Sequence, residues 1–457
     1  MLRLHPIARA AASLLAVGLA LFAPTVRAAL AEAEWTVMVY MNGKNNLEPY
    51  ALKNFHDMAE VGSAKDVNIV VEMGRPKTTR YAREDGDWSG VKRFLVKKGD
   101  APTPESQLMD LEKAGEPIDM GSAETFRRFL QWARQNYPAR RYMVIVWNHG
   151  QGWRYQLAKT REARVYAAAG RIPMAEAIVK AETVPTVGGY RSISHDEDSD
   201  NILYNSDVQS ALAELFPSSG KLDLLGFDAC LMAMVETAYA FRNNVRTMVA
   251  SQELEPGDGW HYAPWLLALT RNPAMSSEEL GGAVVDAYRA RYGNAGIETL
   301  SVVQLGGVAA VASGISAFAN SVAAAGKTET DALLAARKKL RPYGSGNNFK
   351  TSVDLQTLLE QYEKATKDVA LRGQARALRT KLAAQVAKNY ASTRSANPKQ
   401  EWLPYGSRGV AIYFPATKAD FLADKEHQGY LKANKFKPVE FVQNETWADL
   451  IYKILGI

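Results

Sequence analysis

Cys230 is the single cysteine in a chain of 457 residues. It closes the stretch Gly226-Phe227-Asp228-Ala229-Cys230, which follows the apolar run from Leu222 to Leu225 and precedes Leu231-Met232-Ala233-Met234-Val235. This pattern reads as a buried strand, a sharp turn and a helix over 231–243. A second apolar run, Tyr142 to Asn148, ends at His149-Gly150. A lone thiol and an imidazole at the carboxyl ends of two strands have the types needed for a nucleophile and its base. Chemistry in open α/β sheets gathers at such strand ends. A thiol attacks as thiolate, and its pKa falls beside His or at a helix N-terminus. The helix expected right after Cys230 meets one condition, and His149 meets the other if the two strands are neighbours. The N–H groups of Gly150 and Cys230 are candidates to hold a developing oxyanion. The bland alternatives are a packed core cysteine and a hydrogen-bonded histidine at a strand end. Asp228 is costly at the end of a buried strand unless it is paired. It either caps the next helix or accepts a backbone N–H, or it waits in a pocket for a basic side chain, which Arg would match bidentately. The residue types leave both readings open.

These side chains need a scaffold. Strands are expected at Trp35–Met41, Val67–Met73, Tyr142–Asn148, 221–227 and Arg246–Ser251, with helices at Leu47–Val61, 122–136 and Asn205–Leu215, the last with Ser206 as a capping-type residue. A β-hairpin is expected over 79–97, turning at Glu84-Asp85-Gly86-Asp87. Alternating strands and helices argue for an α/β fold: a largely parallel central sheet with helices on both faces. Beyond about residue 270 the periodicity is mostly helical: Ser276–Arg291, Gly307–Ala325, Thr330–Leu340, Val353–Ala365 and Lys367–Ala391, with an extra strand at Thr299–Leu305. The reading is therefore a catalytic domain over 33–270 and a mostly helical C-terminal subdomain over 271–457 that returns a strand, 409–414, to the sheet. The connection 154–203 is long and rich in Lys and Arg, and long loops in compact domains tend to be functional.

The composition, 47% hydrophobic and 23% charged, suits a globular chain with a sizeable core. Residues 1–28 carry Arg3, Arg9 and Arg27 and no acid, then an apolar stretch from Ala10 to Ala23 and Val26-Arg27-Ala28, which together read as a secretory signal peptide. Removing it takes the net charge from +6 to +6 − 3 = +3. That is too mild for a nucleic-acid partner. The apolar run falls short of the ~20 residues a membrane span needs. Export to the periplasm or beyond and no membrane span after signal removal are expected, as is a monomer. One cysteine excludes an internal disulfide. Asp196, Asp198, Asp200 and Asp207 partly match the ligand spacing of a calcium loop, but Asn201 stands where the central Gly belongs. The expectation is a solvated acidic turn. No cofactor is required for thiol chemistry, and calcium is the one candidate.

Five stretches in order resemble the clostripain-like cysteine peptidases, relatives of caspases, legumains and gingipains. They are Trp35–Met41 with Asn45-Asn46-Leu47-Glu48; Trp147-Asn148-His149-Gly150 with Gly152-Trp153; Asp228–Met232; Ser251–Glu253 with Gly257–Trp260; and Ala411–Pro415. The resemblance implies a caspase-like three-layer sandwich, a His149–Cys230 dyad and Asp228 in the primary specificity pocket. It implies cleavage of protein or peptide substrates after Arg or Lys, and it makes 154–203 a candidate activation segment, cut by the enzyme itself. Lys44 stands where relatives often carry Asp, so any role of that Asp is not transferred. The rival from another class is a catalytically idle homologue of the same fold, serving as a cell-envelope binding or scaffold protein.

Overall fold

The computed structural model describes residues 32–78, 80–154, 194–293, 298–344, 351–392, 406–424, 426–434 and 439–457. The signal-peptide reading of 1–28 and most of the connection 154–203 lie outside the described residues. Glu32–Ile457 packs as one unit.

Its centre is a nine-stranded sheet. Strands β1 (Ala33–Asn42), β2 (Val67–Arg75), β3 (Gly90–Leu95), β4 (Met109–Asp110) and β5 (Ala139–Trp147) come first, then a small hairpin, β6 (Ser194–Asp196) and β7 (Asn201–Leu203). They are followed by β8 (Leu222–Asp228), β9 (Val245–Ala250), β10 (Thr299–Gln304), β11 (Ser352–Asp354), β12 (Val386–Ala391) and β13 (Ala411–Tyr413). The sheet order is β12-β10-β9-β8-β5-β1-β2-β3-β4. The five strands from β9 to β2 are parallel, and at either edge two more strands join by antiparallel pairing.

The parallel strands are continuous apolar runs because both of their faces are covered. Side chains alternate between the faces. Met38, Tyr40, Val144, Val146, Leu225 and Phe227 enter one core, and Val37, Val39, Met41, Met143, Ile145 and Leu224 enter the other. Helix α1 (Glu48–Ala59) packs into the second core through Ala51, Leu52, Phe55 and Met58. Helix α2 (Ala123–Asn136), capped by Ser122 accepting the Glu124 N–H, packs into the first through Phe126, Phe129 and Leu130. Helices α3 (Asn205–Leu215) and α4 (Val235–Phe241) join α2, whereas α5 (Tyr262–Arg271) and α6 (Ser277–Tyr292) join α1. Helices α7 (Val308–Ala324), α8 (Lys327–Lys338), α9 (Leu355–Ala365) and α10 (Val369–Ala383) extend the first core. This is the three-layer arrangement the sequence implied. One helix among the described residues, Leu305–Ala324, is long and apolar enough to cross a membrane. Its Val308, Val311, Ala312, Ile315, Phe318 and Val322 side chains are buried at helical spacing in the core.

Four expectations need correction. The helix after Cys230 starts only at Val235. Leu231 has φ +63°, and its N–H and that of Ala233 donate to the carbonyls of Glu253 and Ser251, so 229–234 is a turn held by a neighbouring loop. The hairpin over 79–97 is instead β3 pairing with β2, while Arg75 holds the intervening loop by donating to Glu84 and Ala82 carbonyls. The helix expected up to Ala391 stops at Ala383, and 386–391 forms the edge strand β12. The strand near 409–414 does not return to the main sheet. β13 pairs with β11 in a two-stranded sheet and reaches the turn after Cys230 through Ala411 N–H to Ala233 O.

Candidate active site

β5 and β8 are parallel neighbours in a register that sets Trp147 opposite Asp228. His149 and Cys230 each lie two residues beyond that pair, so adjacent strand ends bring the two together. They line one cleft with Leu47, Trp147, Asp228 and Glu255, about 330 Å³ of empty space that opens to solvent. The two turns touch through backbone. A Cβ on Gly150 would lie 2.3 Å from Cys230 O and 2.9 Å from Cys230 N, so only glycine permits the contact. Among the described residues neither the Gly150 nor the Cys230 N–H has an acceptor. Two unused donors side by side at a nucleophile are what an oxyanion hole requires.

His149 is half-buried, and its Nε2 lies 2.9 Å from Asn46 Oδ1. An amide oxygen only accepts, so Nε2 carries the hydrogen and Nδ1 is the basic nitrogen. The Asn148 amide fixes the turn: its Oδ1 accepts the His149 N–H at 2.7 Å and its Nδ2 donates to Asn42 O at 2.6 Å. Asn46, quoted above only as part of a matching stretch, is thus a site residue that the sequence reading did not assign a role.

The thiol is not in the state expected. Cys230 is buried, and its Sγ accepts the Glu255 N–H at 3.2 Å. Burial pushes the thiol up to about 12; the Glu255 N–H works against this, and the Glu255, Glu253 and Asp228 carboxyls add to it. The lowered pKa expected from a following helix is absent because that helix begins five residues later and spans seven residues.

Asp228 is buried at the base of the cleft. Its Oδ2 accepts the Trp260 N–H at 3.2 Å and the Tyr262 hydroxyl at 2.8 Å. It caps no helix. Gly259 (φ +61°) passes so close that a Cβ there would sit 2.8 Å from the carboxylate. Glu255 faces Asp228, near enough for one carboxyl to donate to the other when protonated. Burial raises Asp228 to about 6, and burial and then the Asp228 charge raise Glu255 well above the usual carboxylate range. Both Glu255 oxygens are buried without a hydrogen-bond donor. Among the described residues no Lys or Arg forms an ion pair with either acid; Arg291, the nearest charge acting on Asp228, is paired with Asp258 at 3.2 Å. Glu255 was missed because it falls between two matching stretches, 251–253 and 257–260. Glu253 and Asp258 stand in the same short segment, so composition did not single Glu255 out.

The acidic cluster is not a solvated turn. Asp196 is fully buried and takes the Lys44 ammonium at 2.7 Å, and Asp198 takes it at 3.3 Å. Lys44 Nζ also donates to Ile118 O at 3.1 Å. Asp196 accepts the Met120 N–H and Asp198 the Lys77 and Thr78 N–H groups, so the cluster ties four loops together. Asp200 is exposed, and Asp207 accepts the Tyr204 N–H at the start of α3, the capping role expected of Ser206. Among the described residues no group of three or more His, Cys, Asp or Glu is arranged to hold a metal ion.

The family model of the clostripain family matches residues 39–167 and 185–452. The chain belongs to the clostripain family. Clostripain of Hathewaya histolytica is 25% identical over 241 residues, which are 50% of this chain and 40% of that protein, so the match spans less than half of that relative's length. An inactive zymogen C11 protease from Parabacteroides distasonis has the same fold, with 18% identity, TM-score 0.59, and coverage of 93% of this chain and 99% of that one. So does a secreted C11 cysteine protease from Bacteroides thetaiotaomicron, solved with an irreversible peptide inhibitor, at 16% identity, TM-score 0.56, and coverage of 92% and 99%. The clostripain-family stretches have physical tasks here. Glu48 binds Arg75 and Arg80 and accepts the Tyr81 and Ala82 N–H groups. Ser251 and Glu253 carbonyls hold the turn after Cys230, and Gln252 joins that loop to Asp354 and Gly409.

Proposed function

We propose that this chain is an exported cysteine endopeptidase that hydrolyses peptide bonds after Arg or Lys. The observation that carries the reading is one cleft holding Cys230, His149 and a buried acid pair without a cation. A substrate's guanidinium or ammonium enters beside Asp228 and Glu255, and the scissile carbonyl oxygen meets the N–H groups of Gly150 and Cys230. The Cys230 thiol proton passes to His149 Nδ1, and Sγ attacks the carbonyl carbon. The tetrahedral oxyanion collapses, the C–N bond breaks, and His149 returns the proton to the departing amine. Water then hydrolyses the thioester, with His149 as base. The substrate cation has a second effect. Burial holds the thiol high and the carboxyl charges add to it; the cation offsets those charges, so a basic side chain favours the thiolate as well as binding. Selectivity and activation thus share one pocket.

Export rests on the pattern of residues 1–28, and self-processing on the basic residues between 155 and 193. The decisive experiment compares wild type with Cys230→Ala on Arg- and Lys-containing peptides, with mass spectrometry of the chain itself. Wild-type-only cleavage after basic residues, in the peptides and between 155 and 193, is expected. Equal cleavage by both proteins would remove Cys230 from the mechanism. No cleavage by either would favour the idle scaffold.

A further inference from the structure

A second cavity lies between the chain just beyond β5 and helices α3 and α4, with about 440 Å³ of empty space, part of it open to solvent. Its lining residues carry four buried polar atoms without a hydrogen-bond partner: Trp153 Nε1, Asn205 Oδ1, Ser206 Oγ and Glu236 Oε2. Such orphans are uncommon, and four around one cavity mark its natural content as polar. The other charges in its wall are matched. Arg154 binds Asp424 at 3.0 Å, and Glu440 takes Arg242 at 2.8 Å and Gln209 at 2.9 Å.

The four orphans are held in place. Trp153 is 4% and Glu236 2% exposed. Glu236 Oε1 accepts the Tyr413 N–H at 3.0 Å and the Tyr430 hydroxyl at 2.8 Å, which fixes the carboxyl and leaves Oε2 unmatched. Asn205 Nδ2 donates to Gly152 O at 2.7 Å, which leaves its oxygen unmatched. The Trp153 ring packs against Tyr413 and Tyr430, with centroids 5.1 Å and 5.0 Å away.

Donor and acceptor types then select the occupant. Asn205 Oδ1 only accepts, as does Glu236 Oε2 in the ionised carboxylate, Ser206 Oγ accepts or donates, and Trp153 Nε1 only donates. A carboxylate or phosphate would set its oxygens against two acceptors. A guanidinium would leave Trp153 unmatched. An ammonium followed closely by a carbonyl matches all four: its N–H groups reach Glu236, Asn205 and Ser206, and the carbonyl accepts from Trp153. Asp207, in the first turn of α3, offsets the positive end of that helix. We propose that this cavity binds the free amino terminus of a peptide chain. That terminus belongs either to a separate peptide or to this chain, on the piece that resumes at Ser194 after a cut between 155 and 193; the second source rests on the self-processing proposed above.

The test uses full-length Cys230→Ala, which has no thiol, so its failure bears on the cavity alone and not on the proposed peptidase. Calorimetric titration with dialanine amide is expected to show saturable binding, and its N-acetylated form none. Glu236→Gln should weaken binding by roughly tenfold or more, and Trp153→Phe, which keeps the ring packing, by a few fold. Equal binding of the two peptides, no binding of either, or affinity unchanged in both variants would overturn the proposal. A second arm uses a chain cut within 155–193 at an inserted site for a sequence-specific protease. Loss of dialanine amide binding after the cut identifies the chain's own terminus as the ligand, and unchanged binding identifies a separate peptide.

Discussion

Asp196 and Asp198 share the Lys44 ammonium, whereas Asp228 and Glu255, behind the same edge of the sheet, have no ion-pair partner among the described residues. Each site sets two carboxyls together, both buried in the second and only Asp196 fully so in the first. In the first, the chain supplies the cation, the acids accept further N–H groups, and the result is a knot that joins 44, 77–78, 118–120 and 194–199. In the second, no cation offsets the burial, Asp228 is raised to about 6, and burial and then the Asp228 charge raise Glu255 as well. The difference separates structure from recognition. A buried acid pair with its own cation has finished its electrostatics, and one without a cation is still able to receive one.

Removing the cation from the finished pair should have the largest effect. Lys44→Met leaves the fully buried Asp196 carboxylate without its cation and takes one partner from the half-buried Asp198, and is expected to destabilise the fold by about 3–5 kcal/mol, measured by urea unfolding. A loss below about 1 kcal/mol would mean the two pairs are electrostatically alike. Neutralising the unfinished pair should instead alter choice of substrate. Asp228→Asn is expected to lower kcat/KM for Arg and Lys substrates on the order of 100-fold while thiol alkylation without substrate stays at or above the wild-type rate, since one carboxyl that raises the thiol is gone. Retained basic preference would remove the pocket role. The same variant reports on stability. Asp228 has a raised folded-state pKa, so its contribution is fully present below about pH 3.8 and is lost as pH rises through about 6. Asp228→Asn should therefore match wild type near pH 3 and exceed it at pH 7 by on the order of 1–3 kcal/mol, seen by unfolding at the two pH values. The smallest effect is expected beside the dyad. Asn46→Ala removes the acceptor that faces His149 Nε2 and should lower kcat roughly tenfold with little change in KM; a change in KM alone would assign Asn46 to substrate binding.

Much of this was legible in the sequence because the parallel strands are buried on both faces. Their apolar runs are continuous, and their ends mark where His149 and Cys230 emerge. The adjacency of β5 and β8, on which the dyad depends, followed from no local signal but agrees with the family resemblance. What escaped was set by distant partners. The residues after Cys230 have helical spacing, yet the carbonyls of Ser251 and Glu253 hold them as a turn. The acidity of 196–200 suggested solvent because Lys44 lies 152 residues from Asp196 in sequence. The thiol is raised first by burial and then by the Glu255 and Glu253 carboxyls, none of which the residues around Cys230 announce. Val386–Ala391 mixes Ala, Lys and Asn, and only its place at the sheet edge against β10 makes it a strand.

The facing carboxyls of Asp228 and Glu255 also make the cleft a proton–cation exchanger. Burial and then the facing Asp228 charge raise Glu255, so the pair holds a proton to higher pH than an exposed carboxyl does. A guanidinium or ammonium arriving beside it takes over that proton's electrostatic role and drives it into solvent. Capture of a basic substrate should then release protons, and its enthalpy should vary with the ionisation heat of the buffer. The affinity of the cleft for Arg and Lys would rise with pH, so acidification alone would turn the proposed peptidase down before any part of the fold is lost.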